Sequence, residues 1–115
     1  MEVFDILAPD RIFDALKLPS KKKTLLELAQ SAATITGLPQ RTIFDILQER
    51  EKLGTTGVGR GIAIPHGKFP GLDGIYGLFL RLDSPINFDS VDNEPVDLIF
   101  LLLAPEAAGA EHLKA

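Results

Sequence analysis

Asp97-Leu98-Ile99-Phe100-Leu101-Leu102-Leu103-Ala104 is a nearly continuous apolar run of strand length. A strand turns alternate side chains to opposite faces, so a run that stays apolar throughout predicts a central strand covered on both sides. Upstream, Ile75 to Leu82 reads as a second strand, rich in apolar and aromatic residues. It is entered through the turn Gly71-Leu72-Asp73-Gly74 and broken by Asp83-Ser84-Pro85. Two helices are predicted before it. The first runs from about Ser20 to Ile35 with Ser20 as its cap. The second runs from about Pro39 to Leu53: Ile43, Ile46, Leu47 and Leu53 recur at three- and four-residue steps, Pro39 suits the first turn, and Gly54 suits the stop. Helices before and after such strands imply an α/β domain, a mixed sheet flanked by helices on both faces.

Between helices and strands lies Thr55-Thr56-Gly57-Val58-Gly59-Arg60-Gly61-Ile62-Ala63-Ile64-Pro65-His66-Gly67-Lys68. Glycines at alternate positions reach conformations closed to other residues and let a ligand approach main-chain N–H groups, which attract anions. Gly57, Gly59 and Gly61, with Gly67, are therefore candidate phosphate-binding positions. Ile62 to Ile64 is a short buried strand that Pro65 should end, because proline removes a ladder donor and fixes φ. His66 is then expected to emerge where the sheet stops. A neutral imidazole is nucleophilic and plentiful at neutral pH, so it suits carrying a group as well as moving protons. The alternative reading of Pro-His-Gly is simply a turn.

Better-known phosphate motifs are excluded. A P-loop requires four residues between its first glycine and Gly-Lys, followed by Ser or Thr; here Gly61 and Gly67 enclose five, and Phe69 follows Lys68. The G-x-G-x-x-G pattern fails at Ile62 and at Ile64. No nucleotide cofactor is implied. Two histidines 46 positions apart make no compact metal motif, so no metal is expected.

The 115 residues suit one domain, able to bury somewhat under about 70% of its unfolded surface in a single core. The composition, 45% hydrophobic and 24% charged, excludes disordered and fibrous classes. Without cysteine there is neither a disulfide framework nor a thiolate site. The first twenty residues carry Asp5, Asp10 and Asp14 and no basic leader, which predicts no signal peptide, no membrane insertion and a cytoplasmic location. A net charge of -4 argues against nucleic acid as the main partner, since neutralising phosphates takes a basic face.

Gly54 to Lys68, with Glu49-Arg50-Glu51 before it and Asp92-Asn93-Glu94-Pro95-Val96-Asp97 leading into the apolar run and Pro105, resembles the IIA domain of the fructose/mannitol class of the bacterial phosphoenolpyruvate-dependent phosphotransferase system (EIIA type 2). Within that class it is most similar to the nitrogen-regulatory branch. The resemblance runs from about Lys21 to the end of the chain, and its Ala-Ile-Pro-His-Gly core is the most specific part. It implies a phosphorelay in which His66 accepts a phosphoryl group, through Nε2, from the phosphohistidine of an HPr-like carrier. It also implies that Arg50 and His112 lie beside that group and that no cofactor takes part. The protein would be a regulatory IIA whose phosphorylation state controls contacts with target proteins such as transporters or kinases. The alternative is the IIA component of a fructose/mannitol-type sugar permease, which would pass the group to a IIB domain. Thr55 departs from the family, where serine is frequent.

A phosphoryl group adds roughly -1.5 to -2 charges, which an acidic domain must offset locally. Arg50 falls by spacing on the inward stripe of its helix, in the last turn before the glycine loop, where a planar guanidinium holds two phosphoryl oxygens at once. The competing reading is that it only complements the carbonyl end of its helix. His112 would by itself be a surface histidine. Lys21-Lys22-Lys23 reads as a solvated face rather than a docking patch, and docking is better placed near His66, on Val58, Phe69 and Pro70. The chain ends at Ala110-Glu111-His112-Leu113-Lys114-Ala115, which reads as a helix cut off after a turn or two. A single EIIA type-2 domain spanning 1–115 and incomplete at its C-terminus is expected, with the last helix and strand elements missing, self-association through the exposed surface, and His112 loosened.

Overall fold

Val96–Pro105 is the strand on which the other elements are aligned. The computed structural model describes residues 12–16, as backbone, and 18–106. In chain order the elements are β1 (Ile12–Leu16), α1 (Lys21–Thr36), α2 (Gln40–Lys52), β2 (Gly57–Gly59), β3 (Ile62–Ala63), β4 (His66–Phe69), β5 (Tyr76–Ile86) and β6 (Val96–Pro105). His112 and the C-terminal helix expected around it lie outside the described residues.

The sheet is mixed, with six strands in the order β1-β5-β6-β3-β2, and β4 also paired to β6. β6 runs antiparallel to β5 and parallel to both β3 and β4. Because β3 meets Leu98 and Ile99 while β4 meets Leu102 to Pro105, the two short strands lie end to end along one edge of β6. The break between them is Ile64-Pro65.

Two-residue alternation divides β5 and β6 cleanly. Leu78, Leu80 and Leu82, with Ile99, Leu101 and Leu103, are buried and join Leu25, Leu28, Ala29, Ile43 and Leu47 of the helices in one core. Burying each of the larger side chains contributes on the order of 1.5–3 kcal/mol. The opposite face carries the cross-strand pair Phe79 and Phe100 together with Leu98 and Leu102, all only partly buried. Among the described residues, α1 and α2 contribute to the core on the first of these faces.

α1 is capped as its sequence predicts: the Ser20 hydroxyl oxygen accepts from the Lys23 N–H at 3.2 Å, and Gly37, at φ +81°, closes the helix with an N–H to the Ala33 carbonyl. α2 differs in two respects. Pro39 precedes the helix as its cap, with ψ 135°, rather than occupying its first turn. Leu53 is 85% exposed, because it lies past the last turn and round the helix from the Ile43, Phe44 and Leu47 stripe. Glu51, one turn beyond Leu47, takes the inward position instead.

β5 also outruns its expected end. Asp83-Ser84-Pro85 does not stop it; the register to β6 shifts after Arg81 and resumes at Ile86 opposite Val96. An irregularity of this kind absorbs a proline, which has no N–H to give the ladder. Of the described helices, none is long and apolar enough to cross a membrane.

Candidate functional site

The site grows from the hairpin β2–β3. Its two-residue loop, Arg60-Gly61, has φ +57° and +78°, the left-handed pair that matches the twist of adjoining strands. Gly57 is fixed by crowding, and Gly59 also by its φ of +105°. A Cβ on Gly57 would stand 3.0 Å from the Ser90 Cα, and one on Gly59 3.1 Å from the Asp92 Oδ2. Gly61 faces Asp97, whose Oδ1 would be 3.3 Å from a Cβ. Asp92 also accepts the Arg60 N–H at 3.0 Å. That bond and a second from the Glu94 N–H hold the Asp92 carboxyl below its ordinary range. Gly59 and Gly61 thus border carboxylates, surroundings that repel an anion, and they serve the packing of the hairpin on residues 90–97.

Past the hairpin, the Ile64 N–H donates to the Thr56 carbonyl at 2.9 Å, and the Pro65 carbonyl accepts from the Leu102 N–H at 3.0 Å. Pro65 interrupts the strand as its chemistry requires, but His66 does not sit at the end of the sheet. It opens β4, directly opposite Leu102 of β6. The sheet resumes because the next residues again offer N–H groups to the free edge of β6. Gly67 follows for a steric reason: a Cβ there would lie 3.0 Å from the Ile46 Cγ2 and 3.2 Å from the Phe69 ring. Its absence lets α2 press against β4.

The His66 Nδ1 lies 2.9 Å from the Ile64 carbonyl oxygen. A carbonyl only accepts, so Nδ1 carries the proton and, in the neutral ring, Nε2 holds the lone pair. His66 lines a cleft of about 260 Å³ with Arg50, Thr55, Thr56, Val58, Ile64 and Leu102. A second cleft, of about 400 Å³, adjoins it and is lined by Arg50, His66, Gly67, Lys68, Ile46, Glu49 and Leu53. Arg50 and His66 are shared by both. The Arg50 Nη1 donates to the Gly54 carbonyl at 2.8 Å, so this side chain closes the end of α2 and faces the imidazole cleft at once. Of the residues singled out in the sequence, His66, Arg50 and Gly67 come together, while Gly57, Gly59 and Gly61 line neither cleft.

A model of the family described as phosphoenolpyruvate-dependent sugar phosphotransferase system, EIIA 2, matches residues 5–115. The chain belongs to that family. A nitrogen regulatory protein of Bradyrhizobium diazoefficiens is 61% identical over 115 residues, covering 100% of this chain and 75% of the relative. A fructose-specific EIIA component of Haloferax volcanii is 35% identical over 118 residues, covering 99% of this chain and 77% of its own. The crystal structure of the nitrogen regulatory protein IIA-Ntr from Neisseria meningitidis superposes with a TM-score of 0.90 at 41% identity, over 96% of this chain and 75% of that one. This EIIA type-2 protein is accordingly a phosphoryl carrier of the phosphotransferase system, and its likeness to nitrogen-regulatory relatives exceeds that to the sugar-specific one.

Two further readings change at the site. Phe69 is fully buried and offers no docking surface, whereas Leu53 and Val58, at 85% and 55% exposure, flank the two clefts. Lys21 is not simply solvated: it pairs with Glu51 at 3.0 Å and Asp89 at 3.5 Å and lies over the Phe88 ring. Lys22 and Lys23 are exposed, as a solvated face requires. Sequence reasoning assigned no role to Glu51, which receives both the N–H and the hydroxyl of Thr56. The available signal was its place one helical turn after Leu47.

Proposed function

We propose that His66 is the phosphoacceptor of this carrier. The observation that carries the reading is the bond from Nδ1–H to the Ile64 carbonyl, which leaves the Nε2 lone pair for attack. The Nε2–P bond forms as the N–P bond of an HPr-like donor's phosphohistidine breaks, in line, and the donor's ring takes back the electron pair. The proton stays on Nδ1, donated to the Ile64 carbonyl, throughout. Arg50 turns guanidinium N–H groups not engaged by Gly54 toward the transferred oxygens, offsetting charge that an acidic domain would otherwise repel. Leu53 and Val58 supply apolar contact for the donor on either side of the imidazole.

The acceptor state then serves regulation in the cytoplasm: phosphorylated and unphosphorylated forms contact different target proteins, such as transporters or kinases. The 61% identity to a nitrogen regulatory protein favours this over relay to a IIB domain. Incubation with phosphoenolpyruvate, the general first enzyme and an HPr-like carrier should give an acid-labile label that His66→Ala removes. Label retained in that variant would overturn the assignment.

A further inference from the structure

The imidazole of His66 is the end of a chain of bonds that starts at a carboxylate in α2. The Glu51 side chain is only 6% exposed and pairs with Lys21 at 3.0 Å. Its Oε1 also accepts the Thr56 N–H at 3.1 Å, and its Oε2 accepts the Thr56 hydroxyl. Two donors of one residue held by one carboxylate fix both the rotamer of Thr56 and the plane of its amide. Thr56 is itself 3% exposed, so water does not compete at that joint. Its carbonyl receives the Ile64 N–H at 2.9 Å, and the Ile64 carbonyl receives the His66 Nδ1–H at 2.9 Å. On its far side Ile64 is followed by Pro65, whose φ is fixed by its ring and whose carbonyl is tied to Leu102. The Ile64 carbonyl is thereby pinned from both directions.

We propose that Glu51 is a positioning residue for His66, acting through Thr56 and Ile64 to hold the imidazole in the Nδ1–H tautomer with Nε2 free. The proposal rests on the reading of His66 as phosphoacceptor only for its consequence; the tautomer itself is a property of the resting protein. Glu51 does not itself line the imidazole cleft and meets its lining at Thr56, and Lys21 balances its charge, so its effect passes through geometry. A neutral glutamine keeps one acceptor oxygen but loses the second carboxylate oxygen and the ion pair, which frees Thr56 to turn.

The test is nitrogen-proton correlation spectroscopy of the full chain with histidine labelled at both ring nitrogens, alongside the rate of phosphoryl acceptance from the HPr-like carrier. The parent should show Nδ1–H at His66. In Glu51→Gln and in Thr56→Val the Nε2–H form should rise to at least an equal population, and acceptance should slow by about tenfold or more, as misaligned reacting groups do. Thr56→Ser, which keeps the hydroxyl, should restore both. A folded Glu51→Gln or Thr56→Val with an unchanged tautomer overturns the proposal, and so does unfolding of both, which would make the clamp purely structural. Because the tautomer is read without any donor, its loss in these variants would stand even if His66→Ala kept its phosphoryl label.

Discussion

The Ile64 carbonyl and the His66 Nδ1, 2.9 Å apart, belong to residues separated only by Pro65. The proline makes that contact available. It ends β3, sends the backbone through a fixed φ, and lets the next residue turn its ring back on the carbonyl before β4 resumes along β6. A regular strand would place positions 64 and 66 side by side on one face, with the carbonyl committed to a neighbouring strand.

Arg50 should matter far more to transfer than to stability. Among the described residues its side chain bonds the Gly54 carbonyl, at an exposed helix end, where a cation contributes about 0.3–1 kcal/mol. Arg50→Ala should therefore barely lower the melting temperature yet slow phosphoryl acceptance by about 100-fold, the usual cost of losing a donor to a charged transition state. Arg50→Lys should recover only part of the rate, since an ammonium does not hold two oxygens in one plane. Quench-flow labelling compared with thermal melts checks both halves.

Much of this arrangement was legible in the sequence because it is periodic or covalent. The run Asp97 to Ala104 marked the central strand, Ser20 marked a helix start, and the chemistry of Pro65-His66-Gly67 marked the candidate site. What escaped depends on distant partners. Alternation alone does not tell which face of β6 the helices cover, so Leu98 and Phe100 read like Ile99 and Leu101. Phe69 beside an exposed lysine looked available for docking, but β4 resumes the sheet and turns it into the core. Gly57 and Gly59 suggested anion binding, yet Gly57 is crowded by Ser90, and Gly59 combines a left-handed φ of +105° with the nearby Asp92, partners more than 30 positions away. Glu51 was hidden by its polarity: a carboxylate on an inward stripe is explained only by Lys21 and Thr56, which the fold brings to it.

Gly67→Ala should couple stability to function. The added methyl would stand 3.0 Å from the Ile46 Cγ2 and 3.2 Å from the ring of Phe69, a fully buried side chain with little room to give. Overpacking of this kind costs about 1–3 kcal/mol. Relief by movement of α2 would also carry Arg50 away from His66. Denaturant titration should show the loss, and combining the change with Ile46→Ala should return part of it, since the two sites are in contact. Strict additivity in that double mutant would contradict the packing account.

Asp92 gives the hairpin a pH dependence of known sign. Its carboxyl lies below its ordinary range because the folded chain aims the Arg60 and Glu94 N–H groups at it. A carboxyl whose folded value is lowered stabilises the fold above its unfolded value, about 3.9, and loses that contribution as pH falls through the folded value. The group is open to solvent, so the effect should be confined to the hairpin tip. Amide resonances of Arg60 and Glu94 should titrate together with a midpoint below about 3.9, and Asp92→Asn should abolish the transition. A midpoint at or above that value would remove the proposed bonds.

The two exposed apolar residues beside His66 should govern donor affinity. Leu53, at 85% exposure, borders the cleft on the α2 side, and Val58, at 55%, borders the one on the hairpin side. An apolar residue exposed to that degree gains nothing for the fold, so replacing it leaves stability within about 0.5 kcal/mol. On a partner's surface the same side chain, once covered, contributes on the order of 1–2 kcal/mol, and a carboxylate in its place adds desolvation cost. Leu53→Asp and Val58→Asp should each weaken binding of the HPr-like carrier by about tenfold or more, measured by calorimetry with unphosphorylated partners so that chemistry plays no role. Arg50→Ala, in the same titration, should change affinity much less than it changes the rate of transfer. If either aspartate variant bound the carrier as well as the parent does, docking would have to approach His66 from the other side of the cleft.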